Sequence, residues 1–282
     1  MQSVFVCLDT SAINALWNDP AREQLAQILR SVAVVRASAF NVNEIAQTPD
    51  PVRRQDLLRF LGTLGSDAVP LQLPNLIIRE IVRAYASGRL HFSIEVTADD
   101  DAIRALRNPE LVTDRSRIIT AEWTANVENA FDAIALSLRE RAQAARTTRT
   151  SPYFGSASGL IRFLMFRPGE KYRQLLAAMY LAETGELPSR AATEHFAAHP
   201  AFKLFFGAFA YGLHRRSMRT VGHSRRNASA VDLQQGVYLA FSDVFVTRDA
   251  RQFRGLRFLS ALNRDSRCEV LKFGEFRERL LR

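Results

Sequence analysis

Four acidic residues in this chain stand where a hydrolytic metal site would need them. Asp9 ends an apolar run, Val4 to Leu8. Glu44 lies in a helical segment that follows a second short apolar run. Asp249 follows the run Asp243-Val244-Phe245-Val246-Thr247, and Asp232 lies on the helical segment leading into it. In an open parallel sheet, chemistry gathers beyond the carboxyl ends of the strands, so the four side chains converge if these strands are neighbours. Carboxylates brought together repel one another, and burial raises their pKa. A hard divalent cation relieves both effects; Mg²⁺ or Mn²⁺ prefers oxygen ligands and keeps several waters. Such a metal polarises a phosphoryl oxygen and activates a water for in-line attack, and a pair of metals would share the attacking and leaving oxygens. The spacing does not distinguish one metal from two.

Each acid also has a purely structural alternative. Asp9-Thr10-Ser11 can cap a helix starting near Ala12. Glu44 can be a solvated helix residue. Ser229-Ala230-Val231-Asp232 fits a capping box with Asp in the place of Glu, and Asp249 can cap the helix that follows it.

The elements that would position these acids read as an alternation. Val4 to Leu8 suits a strand buried on both faces, as in a parallel sheet. Helices follow from Ala12 and over Ala21 to Leu29, then a second strand at Val32 to Val35. Ser38 caps a helix from Ala39 to Gln47, closed by Pro49. Further helices cover Arg53 to Leu64 and Leu76 to Ala86. From Ser93 to about Arg219 the pattern is helical, with segments at Ala102 to Arg107, Ala121 to Ala145, Gly159 to Phe166, Tyr172 to Thr184, Ala191 to Ala198 and Phe202 to Arg215. Thr147 to Ser158 is a loop by composition. The α/β rhythm then resumes with a helix over Ala230 to Phe241, a strand over Asp243 to Thr247, a helix over Ala250 to Ala261 and a last strand over Cys268 to Phe273. The fold class is therefore α/β, split into a first part at 1–92, an all-helical insertion at 93–226 and a second part at 227–282.

Composition sets wider bounds. The chain has 282 residues, 47% hydrophobic and 24% charged, an ordinary globular balance with ample length for a core. No apolar run is long enough to cross a bilayer, and Met1-Gln2-Ser3 leads straight into a strand-like segment with no signal-type stretch. The expectation is a cytoplasmic protein without a membrane anchor. A formal net charge of +9 favours polyanionic partners. Nearly all the basic residues are Arg, the lysines being Lys171, Lys203 and Lys272, and Arg suits bidentate phosphate contacts. The two cysteines, Cys7 and Cys268, lie in apolar strand-like stretches. They read as reduced and buried on non-adjacent strands, not as a disulfide.

Three segments together resemble the PIN-domain nucleases. VFVCLDTSAINAL resembles the first strand and Asp of that family, ASAFNVNEI the helix that carries its acidic Glu, and DLQQGVYLAFSDVFVTRDARQF its third and fourth acidic segments, with a strand ending in Thr-x-Asp. The resemblance covers Met1 to Gln47 and Asn227 to Phe273 and leaves out the helical middle. It implies a PIN-like parallel sheet sandwiched by helices, and Mg²⁺- or Mn²⁺-dependent endonuclease activity on RNA, sometimes DNA. Asp9, Glu44, Asp232 and Asp249 would be catalytic metal ligands, with Thr10 or Ser11, and Thr247, orienting ligands or water. Asp243, at the far end of its strand, reads as structural. This chain departs from compact members in its size, since more than half of it separates the second acid from the third. A second class of reading keeps the fold but makes it a catalytically inactive module that grips nucleic acid or protein. A haloacid-dehalogenase-type phosphatase would need a second Asp where Ser11 stands. Small members of the PIN family are often toxins of toxin–antitoxin pairs, so an antitoxin-like or other protein partner and a homodimer are also compatible.

A dense basic run, His214-Arg215-Arg216-Ser217-Met218-Arg219 with His223-Ser224-Arg225-Arg226, ends just before Asp232. Arg215, Arg216, Arg219, Arg225 and Arg226 are therefore candidates for phosphodiester contacts, extended by Arg139, Arg141, Arg146 and Arg149. The alternative is a solvated surface loop. Phe205, Phe206, Phe209 and Tyr211 recur at helical spacing and read as core packing ahead of base stacking. His195 and His199 are four apart on a helix, but no third ligand accompanies them, so they read as an incidental pair.

Overall fold

The computed structural model describes residues 4–65, 70–89, 100–113, 121–148, 170–217, 230–263 and 267–282. Four short segments rich in β-branched residues form one all-parallel sheet: β1 (Val4–Leu8), β2 (Ala33–Arg36), β3 (Val244–Thr247) and β4 (Glu269–Lys272), in the order β2-β1-β3-β4. β1 is interior, pairing Phe5 with Val34 on one side and Cys7 with Phe245 on the other. That position explains its unbroken apolar run. Val6, Cys7 and Leu8 are all but fully buried, as strands covered on both faces must be.

The connections leave β1 and β3 in opposite directions. From β1 the chain goes to β2 on one side, and from β3 it goes to β4 on the other. The carboxyl ends of β1 and β3 thus flank the switch point, where open parallel sheets place their clefts.

The helices begin where the sequence supplies caps. α1 (Thr10–Trp17) is capped by Asp9, α3 (Ala39–Ala46) by Ser38, and α4 (Pro51–Leu64) by Asp50 with Pro51 in its first turn. Between β1 and β2 lies α2 (Arg22–Val32), and after α4 comes α5 (Pro74–Ala86). A single bridge, Ser38 to Leu71, prolongs the sheet beyond β2.

The middle of the chain is helical in every described element: α6 (Asp100–Arg107), a 3-10 turn at Pro109–Leu111, α7 (Ala121–Thr148), α8 (Glu170–Thr184), α9 (Arg190–Ala198) and α10 (Pro200–Ser217). The expected helix at Gly159 to Phe166 lies outside the described residues, as does most of the expected loop from Thr147; its first two residues instead end α7. The helical middle shares the sheet's core. Phe202, Leu204, Phe205 and Ala208 of α10 belong to one buried apolar cluster with Val6, Leu8, Phe245 and Val270.

After α10 the described chain resumes with α11 (Ala230–Gln234), which tightens into a 3-10 turn over Gln235–Ala240 where the sequence suggests a single helix to Phe241. Gly236 lies in that turn, close against Ala208 and the Leu204 carbonyl. Leu233 is held between two glycines. A Cβ on Gly212 of α10 would come within 3.0 Å of its Cδ1, and one on Gly255 of α12 (Ala250–Leu262) within 2.9 Å of its Cδ2. This clamp fixes Leu233, the residue next to Asp232. The chain ends in α13 (Phe273–Leu280), beginning where the last expected strand was to finish.

Candidate active site

Asp9 continues the β1 ladder, its backbone N–H donating to the Val246 carbonyl at 2.9 Å. Its carboxylate is 5% exposed and is ringed by donors. Oδ1 accepts from the Ala12 backbone N–H at 2.7 Å, and the Ser11 hydroxyl lies 2.9 and 2.8 Å from Oδ1 and Oδ2. Thr247 Oγ1 lies 2.8 Å from Oδ2. These bonds would ordinarily hold a carboxyl low. Burial outweighs them, with Asp232 adding its charge, and the Asp9 carboxyl is pushed up to about 6.

The same hydroxyls clip the turn after β3 to the end of β1. Ser11 Oγ accepts from the backbone N–H groups of Arg248 (2.8 Å) and Asp249 (3.2 Å), and Thr247 Oγ1 accepts from Asp249 N–H at 3.0 Å. Residues 238 apart in sequence are thereby held as one unit.

Glu44 is brought in by Asn41, a residue that sequence reasoning missed. Asn41 is 1% exposed. Its Oδ1 accepts from the Ser38 backbone and hydroxyl (3.0 and 2.9 Å), while its Nδ2 reaches the Leu8 carbonyl and Thr10 Oγ1 (3.1 and 3.3 Å). The visible signal was Ser38-x-x-Asn41, a capping box; the second use of the amide, tying α3 to the end of β1, leaves no trace in spacing. Glu44, one turn further along α3, has its carboxyl pushed up to about 7 by burial, against a hydrogen bond from Thr10 and reinforced by Asp232 and Asp9. Asp9, Glu44 and Asp232 thus feel one another's charge.

Gln252 is the second missed residue. It is 2% exposed, with Oε1 2.8 Å from Thr247 Oγ1 and Nε2 donating to the Asp232 backbone carbonyl at 3.3 Å. It links the segment bearing Asp232 to the residue touching Asp9. In sequence it sits three after Asp249, the glutamine of a capping-box pattern, although its side chain turns into the site. The Thr247 hydroxyl has one proton and two acceptors, Asp9 Oδ2 and Gln252 Oε1. Both are satisfied together when Asp9 itself carries a proton, in keeping with its raised pKa.

Asp232 is half-buried and Asp249 exposed. The Asp249 carboxylate caps α12, accepting from the backbone N–H groups of Arg251 (2.6 Å) and Gln252 (2.9 Å), the structural alternative foreseen for it; its backbone, not its side chain, is what ties it to Ser11 and Thr247. Among the described residues, no group of three or more His, Cys, Asp or Glu side chains is set to hold a metal ion. Asp243 lies at the opposite end of the sheet, its carboxylate accepting from Phe5 N–H at 2.8 Å.

The basic candidates divide. Arg215 is exposed at the end of α10. Arg216 requires a correction. It is 8% exposed, pairs with Glu128 and, at 2.8 Å, with Asp132 of α7, and lies over the Phe131 ring. Its guanidinium is committed inside the protein and is not free for a phosphate. Arg219, Arg225, Arg226 and Arg149 lie outside the described residues, as does Ser229. Arg139 donates to the Arg216 and Ser217 carbonyls, closing the C-terminus of α10; Arg141 and Arg146 lie on α7.

The other expectations concern packing. His195 lies against Tyr85, ring centroids 4.6 Å apart. His199 accepts from Ala201 N–H and is pushed down to about 4, chiefly by burial and secondarily by His195 and Lys203. Phe205 packs on Phe206 and Phe209, and Tyr211 on Phe258. Cys7 on β1 and Cys268 just before β4 are unbonded and buried, with β3 between their strands, and burial raises both thiols. No helix among the described residues is long and apolar enough to cross a membrane.

Comparison with protein-family models, with curated proteins and with solved structures found no match to this chain.

Proposed function

We propose that this chain is a Mg²⁺- or Mn²⁺-dependent endonuclease with a PIN-like fold, hydrolysing phosphodiester bonds, with RNA ahead of DNA as substrate. One observation carries the reading. At the switch point of the sheet, burial pushes the carboxyls of Asp9 and Glu44 up to about 6 and about 7, the charge of Asp232 adding to both, with no basic side chain among the causes. Two buried carboxyls, Asp9 and Glu44, with no cation acting on them are short of positive charge, and their oxygen chemistry fits a hard divalent cation. Mg²⁺ is commonly held through one or two carboxylates with waters completing the shell, so the lack of a closed three-ligand cage among the described residues is compatible with it.

The roles follow from placement. Asp9, held rigidly by Ser11, Thr247 and the first turn of α1, is the anchoring ligand. Glu44 and Asp232 complete the acidic face, and Asp249 fixes the turn and the start of α12. When bound, the metal would supply Lewis-acid activation of the phosphoryl group and of a water. Thr10 orients Glu44, and Thr247 and Ser11 orient Asp9. The net charge of +9 suits a polyanionic substrate, and two unbonded cysteines suit a reducing, cytoplasmic setting.

The test is cleavage of labelled RNA with Mn²⁺, with and without EDTA, by wild type and Asp9→Asn. Loss of cleavage in a variant that remains folded is expected; full activity in Asp9→Asn ends the proposal. The capping role of the Asp249 carboxylate favours a second reading, a PIN-like binding module without catalysis. Calorimetric titration with Mn²⁺ separates the two, since a module of that kind would give no heat.

A further inference from the structure

We infer that a nucleic-acid strand approaches the site along α12 on the β4 side, its phosphates met by Arg248, Arg254, Arg257 and Lys272. Placing the reacting phosphate at Asp9 rests on the proposed function; the docking surface itself does not.

The solvent face of α12 carries charge of one sign. Its inward face is Gln252, Phe253, Gly255, Leu256 and Leu259, all buried. At 3.6 residues per turn, the outward face opposite is Ala250, Arg254, Arg257 and Ala261, all exposed. The helix sequence ARQFRGLRFLSAL contains no acid. A carboxylate at i,i+3 or i,i+4 is the local counter-ion a helix can offer an exposed arginine, as Asp56 does for Arg59 and Glu194 for Arg190. Among the described residues, Arg248, Arg254 and Arg257 have no carboxylate partner. Among the described residues Arg254 donates only its Nε, to the Ala250 carbonyl at 3.1 Å, so the terminal nitrogens of its fork have no partner among them.

A second cation is brought to the same place from another element. Lys272 ends β4 and is the register partner of Thr247, so it stands at the site end of the sheet. Its Nζ lies 5.1 Å from the centroid of the Phe253 ring, and Arg257 Cζ lies 5.6 Å from that centroid. Two like charges share one ring, and the carboxylate of nearby Glu275 turns instead to the Lys272 backbone N–H at 3.4 Å. Like charges held together with no counter-ion among the described residues call for an anion, and Arg forks match phosphate oxygens bidentately. Arg248, exposed directly after Thr247, connects this surface to the mouth of the site. The partner that fits a row of cations ending at a metal-seeking carboxylate cluster is a phosphodiester backbone. It would run over α12 and β4, in addition to any contact made by the basic run before Asp232.

The test uses the full chain in EDTA, so that binding is read without cleavage. Fluorescence anisotropy of a labelled oligouridylate, and of the matching deoxy strand, is followed between about 50 and 200 mM KCl. Each phosphate contact on a single strand contributes about 0.7 to the slope of log K against log salt. R254A/R257A is expected to lower that slope by about 1.4, which at about 0.1 M salt is a roughly 25-fold loss of affinity. Alanine is the best helix former, so the fold is retained. The control is R30A/R267A, which removes the same charge from exposed residues just ahead of β2 and β4, at the opposite end of the sheet. It is expected to leave the slope unchanged. Equal effects of the two double variants, no effect of R254A/R257A, or no binding by wild type would each overturn the inference. If the slope depends on these arginines while wild type cleaves nothing with Mn²⁺, the surface stands and the nuclease reading falls.

Discussion

Replacing Asp9 by Asn should make the metal-free protein more stable at neutral pH while removing its metal response. The Asp9 carboxyl, ordinarily near 3.8, is pushed up to about 6 in the folded chain. Between those values the folded state holds a proton that the unfolded state has released. Stability then falls as pH rises, because its slope follows protons bound in the unfolded state minus those bound in the folded state. The favourable contribution is complete below the unfolded pKa and is lost as pH passes through the folded one. A gap of about two pKa units corresponds to about 3 kcal/mol, and at 5% exposure there is little solvent screening to discount. The amide introduced by Asp9→Asn does not titrate. Its oxygen can keep the cap on Ala12 N–H, since Asn and Asp cap equally well, and can still accept from the Ser11 hydroxyl, while its N–H group donates to the Thr247 hydroxyl, which turns its own proton to Gln252. The variant should thus lie within about 1 kcal/mol of wild type near pH 4 and exceed it by about 2–3 kcal/mol near pH 7.5. Urea unfolding of both proteins in EDTA across that range gives the difference directly, and taking the difference cancels the charge effects they share. Saturating Mn²⁺ at about 100 times its Kd should then restore about 2.7 kcal/mol to wild type and nothing to the variant. A difference that stays flat from about pH 4 to 7, or an Asn variant that is the weaker protein at neutral pH, would refute the claim that Asp9 is a buried charge waiting for a cation.

Other expectations follow from the same geometry. Gly255→Ala places a Cβ 2.9 Å from Leu233 Cδ2 and 3.1 Å from the Tyr211 ring. Overpacking of about 1–3 kcal/mol should outweigh the gain of about 1 kcal/mol in helix propensity in urea unfolding, and the displaced Asp232 should weaken Mn²⁺ binding in calorimetry. Gln252→Met keeps the volume but removes the tie between Thr247 and the Asp232 carbonyl; a loss of about 10–100-fold in Mn²⁺ affinity is expected, the usual effect of removing a residue that orients ligands, with unchanged affinity counting against the link. Arg216→Ala strips a partner from Glu128 and Asp132. It should cost about 2 kcal/mol in urea unfolding, below the range for a fully buried pair because Asp132 is 70% exposed, and leave the salt slope of RNA binding as in wild type.

The sheet and its helices were legible because each follows from local chemistry. Parallel strands buried on both faces must be apolar throughout, so VFVCL and VFVT announce themselves, and Ser38 signals the start of α3 before Ala39. What spacing could not show is which polar side chains turn inward. Within His-Arg-Arg-Ser, nothing distinguishes Arg215 from Arg216. The difference is made by Glu128, 88 residues earlier, on a helix whose placement is set only by tertiary packing. Asn41 and Gln252 each sit at the third position of a capped helix, where an amide has an ordinary local use, and their long-range bonds to Leu8, Thr10, Thr247 and Asp232 exist only once the strands are assembled. The last strand stops at Lys272, one residue short of the expected end, for a related reason: Phe273 follows β4 without a break and has strong strand preference, while the charged residues after it pair with other elements, Arg277 with Asp19 and Arg279 with Glu269.

Asp9 is both a cap and the centre of the candidate site, and the two roles make different demands. A cap needs one acceptor oxygen for a backbone N–H, which Asn or Ser supplies without a charge. Ser38 does this at α3, where Asn41 completes the box. At Asp9 the chain instead buries a carboxylate, surrounds it with Ser11, Thr247 and Ala12 N–H, and sets Asp232 near enough to raise its pKa further. Those hydrogen bonds fix where the oxygens are, yet they leave the charge uncompensated. A group that is rigidly placed and electrostatically unsatisfied lowers the stability of the metal-free fold, and it is also preorganised for a cation, since the ordering that binding would require is already complete. The surplus charge has no structural use that a neutral residue would not serve better, and this favours the proposed metal-ligand role of Asp9 over that of a cap alone.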